Sequence, residues 1–521
     1  MRLFSFLAAG AATVVVAVLL ARGSEPMAPT GDTAVLESYV IQASQGRLLV
    51  GPYSRFQWHH PGPVYFYALV PFYAAAGQRT TGLSAGAFVI NVLSILLVLM
   101  TLVQERVPGL LLATATMVAL YVFRLADLLT SPWNPHVIVV PLLALAVLSA
   151  GAASGRFRLL PVVAGLASFV AQTDVGVVPV ALVFGAAAVG ACLVIAILDR
   201  SSRGAFLSAT AVTGAVLAVM WLPVLLEQLR NTPGNIHELW RFFAHGREGG
   251  GQSLKVAFAA WTDMLAGPLG PRLYLAHGWA LRRSHEALTQ GWAIVQMASL
   301  GLAAVVSSIE RRPFPAFLSL LLLLTSAVAL WSITRIDGEI MDHQIFWLSG
   351  IGALNTAVVA GILVERMWSR ERTAGIVPPI IVSGALVVII VAVGLSRLQV
   401  ARTASRSPQH DAVAIEQSAS AIQGYLARRQ IERPLIKIDE ASWSLAAGVL
   451  LQLQKRGVAY AVDDAWIPMF TDMARTTGRE GAILLVAGAA QHVVLKGEPG
   501  VVTIAENDPV FVDALAAPKP L

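Results

Sequence analysis

Residues 83–103 have the sequence LSAGAFVINVLSILLVLMTLV, an apolar run without a single charged side chain. A helix of about 20 such residues spans the hydrocarbon core of a bilayer, so this stretch predicts a membrane-crossing helix. Seven other stretches are of similar length and mainly apolar: 3–21, 175–198, 205–226, 288–309, 314–333, 345–365 and 377–397. Four shorter stretches are also apolar: 63–77, 109–123, 136–152 and 158–171.

The composition of the whole chain agrees with this pattern. Of its 521 residues, 56% are hydrophobic and only 13% are charged, whereas a soluble domain carries about 25% charged residues. These values argue against a soluble enzyme and a disordered chain. The net charge of +6 does not call for a nucleic-acid partner, because Lys and Arg also collect in the cytoplasmic loops of membrane proteins.

Basic clusters predict which loops face the cytoplasm. Arg311-Arg312 and the segment 365–372 are rich in arginine and should lie inside. Alternation of the segments then places the N-terminus inside and these parts outside: the loops 22–62 and 227–287, the segment 334–344 and everything after 398. The protein is therefore expected to be a multi-pass protein of a bacterial-type inner (plasma) membrane, with its polar loops extracytoplasmic.

The predicted number of membrane crossings does not agree with the predicted topology, and two explanations remain open. An inside N-terminus and an outside C-terminus require an odd number, but twelve segments are counted. Either 63–77, which contains Pro71, does not cross fully, or one segment is missed or split. We expect about 11–13 transmembrane helices.

The composition changes after residue 398. Short apolar runs alternate with helical stretches, as is typical of a small α/β domain: 434–439, 482–486 and 501–504 for the strands, 410–429 and 441–455 for the helices. The expected fold is an all-α polytopic membrane domain over 1–398 followed by a small α/β extracytoplasmic domain over 399–521.

Ionisable side chains inside a membrane protein indicate its functional sites, because each is expensive in lipid. The loop 22–62 holds Asp32, a carboxylate whose partial desolvation would raise its pKa toward the working range of a general base. Arg55, His59 and His60 place up to three hydrogen-bond donors within six residues, as a phosphate group requires. Residues 35–50 look amphipathic, which predicts a helix on the membrane surface.

Each of these residues also has a plain structural interpretation. Asp32 could cap a helix, Arg55 could anchor the chain at the headgroups, and the adjacent histidines could be interfacial. From the residues alone, the loop shows only that a carboxylate shares a segment with a phosphate-like donor cluster.

A family resemblance narrows this choice. An early Asp in the first outer loop, a following helix and a basic-Pro-x-Pro-aromatic motif at 60–65 resemble the GT-C superfamily of membrane glycosyltransferases, in particular its protein O-mannosyltransferase and lipid A aminoarabinose transferase group. The family's catalytic Asp falls on Asp32, and its Lys-Pro-Pro motif falls on His60-Pro61-Gly62-Pro63. His here replaces Lys, and a Gly separates the prolines.

The resemblance implies an inverting transfer of a sugar from a polyprenyl-phosphate donor to a hydroxyl group of a lipid, glycan or protein acceptor. It makes Asp32 the catalytic base and assigns the donor phosphate to Arg55, His59, His60 and Arg335. The family's second-loop Asp-Pro falls on Asn134-Pro135, so a second carboxylate would come from Asp127 or be absent. The further candidates for the acceptor or second-loop site are Glu37, His136, Asn235 and His237.

We expect no metal ligands and no certain cofactor, with a divalent cation as the alternative. The lipid bilayer is an expected partner and nucleic acid is not. The main rival function is a transporter or flippase of a lipid-linked or small anionic substrate; a structural or assembly protein of the membrane is the other. A transporter should show two repeats around a central site, whereas a glycosyltransferase should show a cavity roofed by the two outer loops.

Overall fold

The computed structural model describes residues 2–22, 28–245, 250–271, 273–281, 287–367 and 410–515, with the isolated positions 384 and 396. Its membrane domain is helical throughout. The helices are α1 (Arg2–Arg22), α2 (Gly31–Ser44), α3 (Val64–Ala75), α4 (Thr81–Gln104), α5 (Pro108–Arg124), α6 (Asn134–Val137), α7 (Val139–Ala153), α8 (Leu160–Thr173), α9 (Val178–Leu198), α10 (Arg203–Arg230), α11 (Asn235–His245), α12 (Leu254–Ala266), α13 (Ala287–Ile309), α14 (Pro313–Ile333), α15 (Asp342–Ile345) and α16 (Trp347–Met367).

These helices confirm the membrane segments predicted from apolar length. In the described part of the chain, seven helices are long and apolar enough to cross a membrane, and four shorter helices are also apolar. The run at 83–103 lies within α4, and the run at 175–198 begins and ends where the structure places that span. The predicted segment 377–397 lies outside the described residues.

The loops gather at two ends of the bundle, as the charge pattern predicts. At one end, Arg312 pairs with Glu365, which joins the two basic segments that were assigned to the inside, and Arg156 pairs with Glu105. At the other end, which we call the domain face, lie the loops that were assigned to the outside and the C-terminal domain. That the domain face is extracytoplasmic stays a prediction.

Helix α3 decides the parity of the crossings. The Tyr73 hydroxyl near its end donates to Glu37 Oε1 at 2.9 Å, and the nearby Thr81 hydroxyl donates to the carbonyl of Ala21 at 2.9 Å. At its start, the Tyr65 hydroxyl donates to the carbonyl of Pro132. All these partners lie at the domain face, so α3 begins and ends on the same side. The segment 63–77 therefore does not cross, which is the first of the two explanations.

The C-terminal domain is a mixed sheet with helices. Its strands are β1 (Leu435–Ile438), β2 (Ala461–Val462), β3 (Ile483–Ala487), β4 (Val501–Asn507) and β5 (Val510–Leu515), in the order β2-β1-β3-β5-β4. Its helices are α17 (His410–Arg429), α18 (Trp443–Lys455), α19 (Ile467–Phe470) and α20 (Ala489–Leu495). Strand β1 runs parallel to β2 and β3, and β5 is antiparallel to β3 and β4. This confirms a small α/β unit; the domain boundary at 398/399 lies outside the described residues.

The surroundings of helix α2 differ from those predicted from the sequence. The segment 35–50 was predicted to lie on the membrane surface, and its first part is indeed helical. However, the polar side chains Glu37, Ser38 and Gln42 are buried, because α18 of the C-terminal domain packs on this helix. The apparent amphipathic pattern marks a domain interface rather than a membrane surface.

Candidate active site

A cavity of about 950 Å³ opens at the domain face. Its lining draws on segments that are distant in sequence: 32–39, 52–66, 133–135, 174–179, 242–243, 277–278, 331–347 and Trp443. Both predicted outer loops contribute to this lining, which is the arrangement expected of a glycosyltransferase.

Asp32 lies in the first turn of α2 and lines the cavity. The Tyr53 hydroxyl donates to its Oδ1, and the Trp133 side chain also hydrogen-bonds to it. Burial raises the pKa of Asp32, and the two hydrogen bonds oppose this shift. A carboxylate held in a fixed direction with a raised pKa can accept a proton from an alcohol bound in the cavity. Asp32, the base expected from the sequence, thus lines the cavity in a position suited to that role.

Two arginines supply positive charge to the same cavity. Arg55 and Arg335 both line it and are exposed. Each guanidinium lies over an aromatic ring, at 4.8 Å from the centroid of Phe56 and 5.9 Å from that of Trp331. Neither forms an ion pair with a carboxylate among the described residues, so both are available to an anionic ligand.

The histidines are placed differently from the expectation. His60 lines the cavity, but its Nδ1 accepts a hydrogen bond from the Val175 amide at 2.8 Å. Burial, together with His59 and His343, lowers the pKa of His60 to about 3. Its imidazole is therefore neutral near pH 7 and is not the cation that the motif was expected to provide.

His59 is turned away from the cavity lining. Its ring lies 6.5 Å from that of Tyr39, and a hydrogen bond joins it to the backbone of Pro468 in the C-terminal domain. Burial lowers the pKa of His59 to about 4. The two histidines therefore do not form the expected pair of cations in the cavity, whereas Arg55 and Arg335 line it.

Close packing explains why a glycine, Gly62, stands between the two prolines of the motif. A Cβ on Gly62 would lie 2.3 Å from Gln172 Oε1 and 2.6 Å from a methyl group of Val224. The Gly62 amide also donates to the carbonyl of Gln172 at 3.3 Å. The backbone of the motif thus packs directly against the end of α8, and only a glycine, which lacks a Cβ, permits the two segments to lie so close together.

A second carboxylate in the cavity was missed by sequence reasoning. Asp174 lies in the turn between α8 and α9, lines the cavity and accepts a hydrogen bond from the Gly176 amide at 2.8 Å. Burial raises its pKa to about 7. The available signal was a lone acidic residue between two apolar runs. Asp127, the predicted source of a second carboxylate, lies outside the cavity lining.

Glu37 is corrected from a site residue to a structural one. It is fully buried and accepts hydrogen bonds from Tyr73 at 2.9 Å and from Thr80 at 2.6 Å. Lys455 of the C-terminal domain forms an ion pair with it. A carboxylate with all these partners is not available to a substrate.

Of the remaining candidates, only Asn134 lines the cavity. His136 is held between Ser131 Oγ at 2.7 Å and the carbonyl of Ala276 at 2.9 Å, which fixes a turn. Asn235 donates to the carbonyl of His59 at 3.0 Å and so supports the first loop. His237 is exposed and lies outside the lining.

A search of the described residues for three or more His, Cys, Asp or Glu side chains grouped to hold a metal ion finds none. Asp32, Asp174 and Asp337 nevertheless face the same cavity. The divalent cation named from the sequence therefore stays an alternative.

Comparisons with known proteins identify the fold. No family model and no curated protein matches the chain. Two crystal structures of ArnT from Cupriavidus metallidurans are similar, one bound to undecaprenyl phosphate and one in the apo state, with TM-scores of 0.52 and 0.53. Each similarity covers 98% of this chain and 99% of the other at 12% identity. At this identity the similarity concerns the fold alone, and it confirms the predicted fold class: a polytopic helical domain followed by a small C-terminal sheet domain, as in ArnT.

Proposed function

We propose that this protein is an inverting GT-C-type glycosyltransferase. It moves a sugar from a polyprenyl-phosphate donor to a hydroxyl group of a lipid, glycan or protein acceptor at the outer face of a bacterial-type plasma membrane. The observation that carries the proposal is one cavity holding both Asp32, whose pKa is raised, and the guanidinium groups of Arg55 and Arg335. The crystal structure of ArnT with undecaprenyl phosphate supports a polyprenyl-linked donor.

In the proposed reaction, Asp32 and the two arginines have different tasks. Asp32 takes the proton of the acceptor hydroxyl, whose oxygen then forms a bond to the anomeric carbon. The bond between that carbon and the phosphate oxygen breaks on the opposite face, and its electron pair leaves with the polyprenyl phosphate. Arg55 and Arg335 stabilise the charge that develops on the phosphate. Because the acceptor attacks from the opposite face, the anomeric configuration inverts.

The rival transporter function fits this geometry less well. A transporter binds its substrate near the bilayer midplane between repeats. Here the polar groups converge at one end of the bundle, and loop residues such as Tyr53, Trp133 and His60 line the cavity. A carboxylate held in one orientation by two hydrogen-bond donors suits a catalytic base better than a site through which a substrate is transported.

The test uses purified protein and a panel of polyprenyl-phosphate sugars. Asp32→Asn should lower the transfer rate by about 10²- to 10⁴-fold, the usual contribution of a general base, and leave donor binding intact. Arg55→Ala and Arg335→Ala should raise the donor KM. Asp127→Asn is the matched control, because this carboxylate lies outside the cavity lining. Normal transfer by Asp32→Asn, or transfer from a soluble nucleotide sugar, would refute the proposal.

A further inference from the structure

The C-terminal domain is seated on the helix that carries Asp32. Helix α18 packs along α2, and the Ser38 hydroxyl donates to Gln454 Oε1 at 2.6 Å. The Tyr39 hydroxyl donates to the carbonyl of Pro468 at 3.1 Å. These bonds, together with the ion pair between Glu37 and Lys455, join the last turn of α18 and the nearby Pro468 to α2, and so hold the C-terminal domain against the helix that carries Asp32.

Trp443 is the first residue of α18 and reaches the cavity wall. Its side chain is half-buried and lines the cavity with Asp32. A Cβ placed on Gly31, the neighbour of Asp32, would lie 3.6 Å from the indole Cη2 and 2.9 Å from Ser444 Oγ. The C-terminal domain thus brings an indole to within one residue of the catalytic base.

The place of this indole indicates which substrate it meets. In the proposed reaction, on which this inference rests, the acceptor binds beside the base and the donor phosphate leaves on the opposite face. Trp443 contacts the start of α2, whereas Arg55 hydrogen-bonds to the carbonyl of Glu339 at 3.5 Å and Arg335 lies over Trp331. The indole therefore lies beside the base, where the acceptor binds in that reaction.

The chemistry of the cavity lining favours a sugar ring. An indole offers a broad apolar face, on which the C–H face of a pyranose or furanose can pack. Asp32 and Asp174 can accept hydrogen bonds from hydroxyl groups at the ring's edge. Asp337 also lines the cavity, and its Oδ1 is buried without a hydrogen-bond partner in the described part of the chain. A Ser or Thr side chain of a protein acceptor would supply one hydroxyl and no flat face.

We propose that Trp443 of the C-terminal domain forms the acceptor subsite and stacks on a sugar ring of a carbohydrate acceptor. The domain is then a part of the active site and determines specificity for the acceptor, while the membrane domain binds the donor.

Binding of the acceptor class is tested without catalysis. Full-length protein in nanodiscs is titrated with methyl glycosides, since maltoside detergents would compete, and binding is followed by saturation-transfer NMR. The wild type should bind at least one glycoside, Trp443→Ala should lose about tenfold or more in affinity, and Trp443→Phe should retain part of it. Trp466→Ala, in the same domain but outside the cavity lining, should bind as the wild type does.

Transfer assays give the second readout. Trp443→Ala should raise the acceptor KM about tenfold and leave the donor KM within twofold, whereas a merely structural role would change both. Equal acceptor KM values, or a peptide used in preference to every glycoside, would overturn the inference. Glycoside binding that depends on Trp443 without any transfer from polyprenyl-phosphate sugars would refute the proposed donor while supporting this subsite. If the wild-type protein neither binds a glycoside nor transfers sugar from a polyprenyl-phosphate donor, the acceptor subsite and the proposed function are both refuted.

Discussion

Replacing Asp174 with asparagine should stabilise the protein in alkaline solution and have little effect in acid. Burial raises the pKa of this carboxyl from an ordinary value of 3.8 to about 7, so the folded state favours the protonated form. An acid with a raised pKa destabilises the fold progressively as the pH rises from its unfolded value toward its folded value. The destabilisation is complete above about pH 7.

The size of the effect follows from the same shift. A difference of about 3 pKa units corresponds to about 4 kcal/mol at 1.36 kcal/mol per unit. Asparagine keeps an oxygen for the Gly176 amide, which now donates to Asp174 Oδ1 at 2.8 Å. With an unfolding entropy of about 2.1 cal/mol/K per residue, a gain of this size raises the Tm of a chain this long by about 4 °C.

The assay is thermal unfolding in detergent micelles at pH 4 and pH 9, followed by circular dichroism. Asp199→Asn is the control, because Asp199 is exposed and hydrogen bonds from Ser202 and Ser201 lower its pKa. This control should show no gain at pH 9. An equal shift of Tm for Asp174→Asn at both pH values, or a loss of stability at pH 9, would refute the reasoning.

Three further changes test the interface and the cavity. Lys455→Met should destabilise the protein by about 3–5 kcal/mol, because it leaves the Glu37 carboxylate buried and unpaired; adding Glu37→Gln should recover much of the Tm measured by thermal unfolding. Gly31→Ala should lower the transfer rate, because Gly31 has a φ of +51° and a Cβ there would meet Ser444 Oγ at 2.9 Å; Ser444→Gly should partly restore the rate, and failure to do so would separate backbone strain from the clash. His60→Ala should leave the pH dependence of the donor KM between pH 6 and 9 unchanged, because the pKa of His60 is about 3; a profile that flattens would restore a cationic role.

The membrane spans were predictable because apolar length is a property of a local stretch. The run at 83–103 needs no knowledge of its neighbours to be recognised as a span. Asp32 was also within reach, since it follows the first span and lies in a recognisable motif. The even number of predicted segments left two explanations, one of which was that 63–77 does not cross the membrane. Contacts of Tyr73 and Thr81 with residues distant in sequence then showed that this segment begins and ends on the same side.

The errors concern side chains whose state depends on distant partners. Burial, together with His59 and His343, lowers the pKa of His60 and keeps its ring neutral, and the Val175 amide, 115 residues later in the chain, donates to that ring. Glu37 was taken for a site residue because its ion-pair partner, Lys455, lies in another domain. Trp443 could not be linked to Asp32 before the docking of α18 on α2 was known. Burial and pairing of this kind are tertiary facts that a sequence pattern does not contain.

The seating of the C-terminal domain on α2 has a consequence for biosynthesis. Asp32 leaves the ribosome 411 residues before Trp443, which at about 5–20 residues per second is an interval of roughly 20–80 s. Throughout that interval Glu37 lacks its ion-pair partner, and the cavity lacks one wall. On the proposed mechanism, we expect the newly made chain to be inactive until its last part has been translated and brought to the domain face. Co-expression of the two parts as separate chains should rebuild the site only when both reach the same side of the membrane.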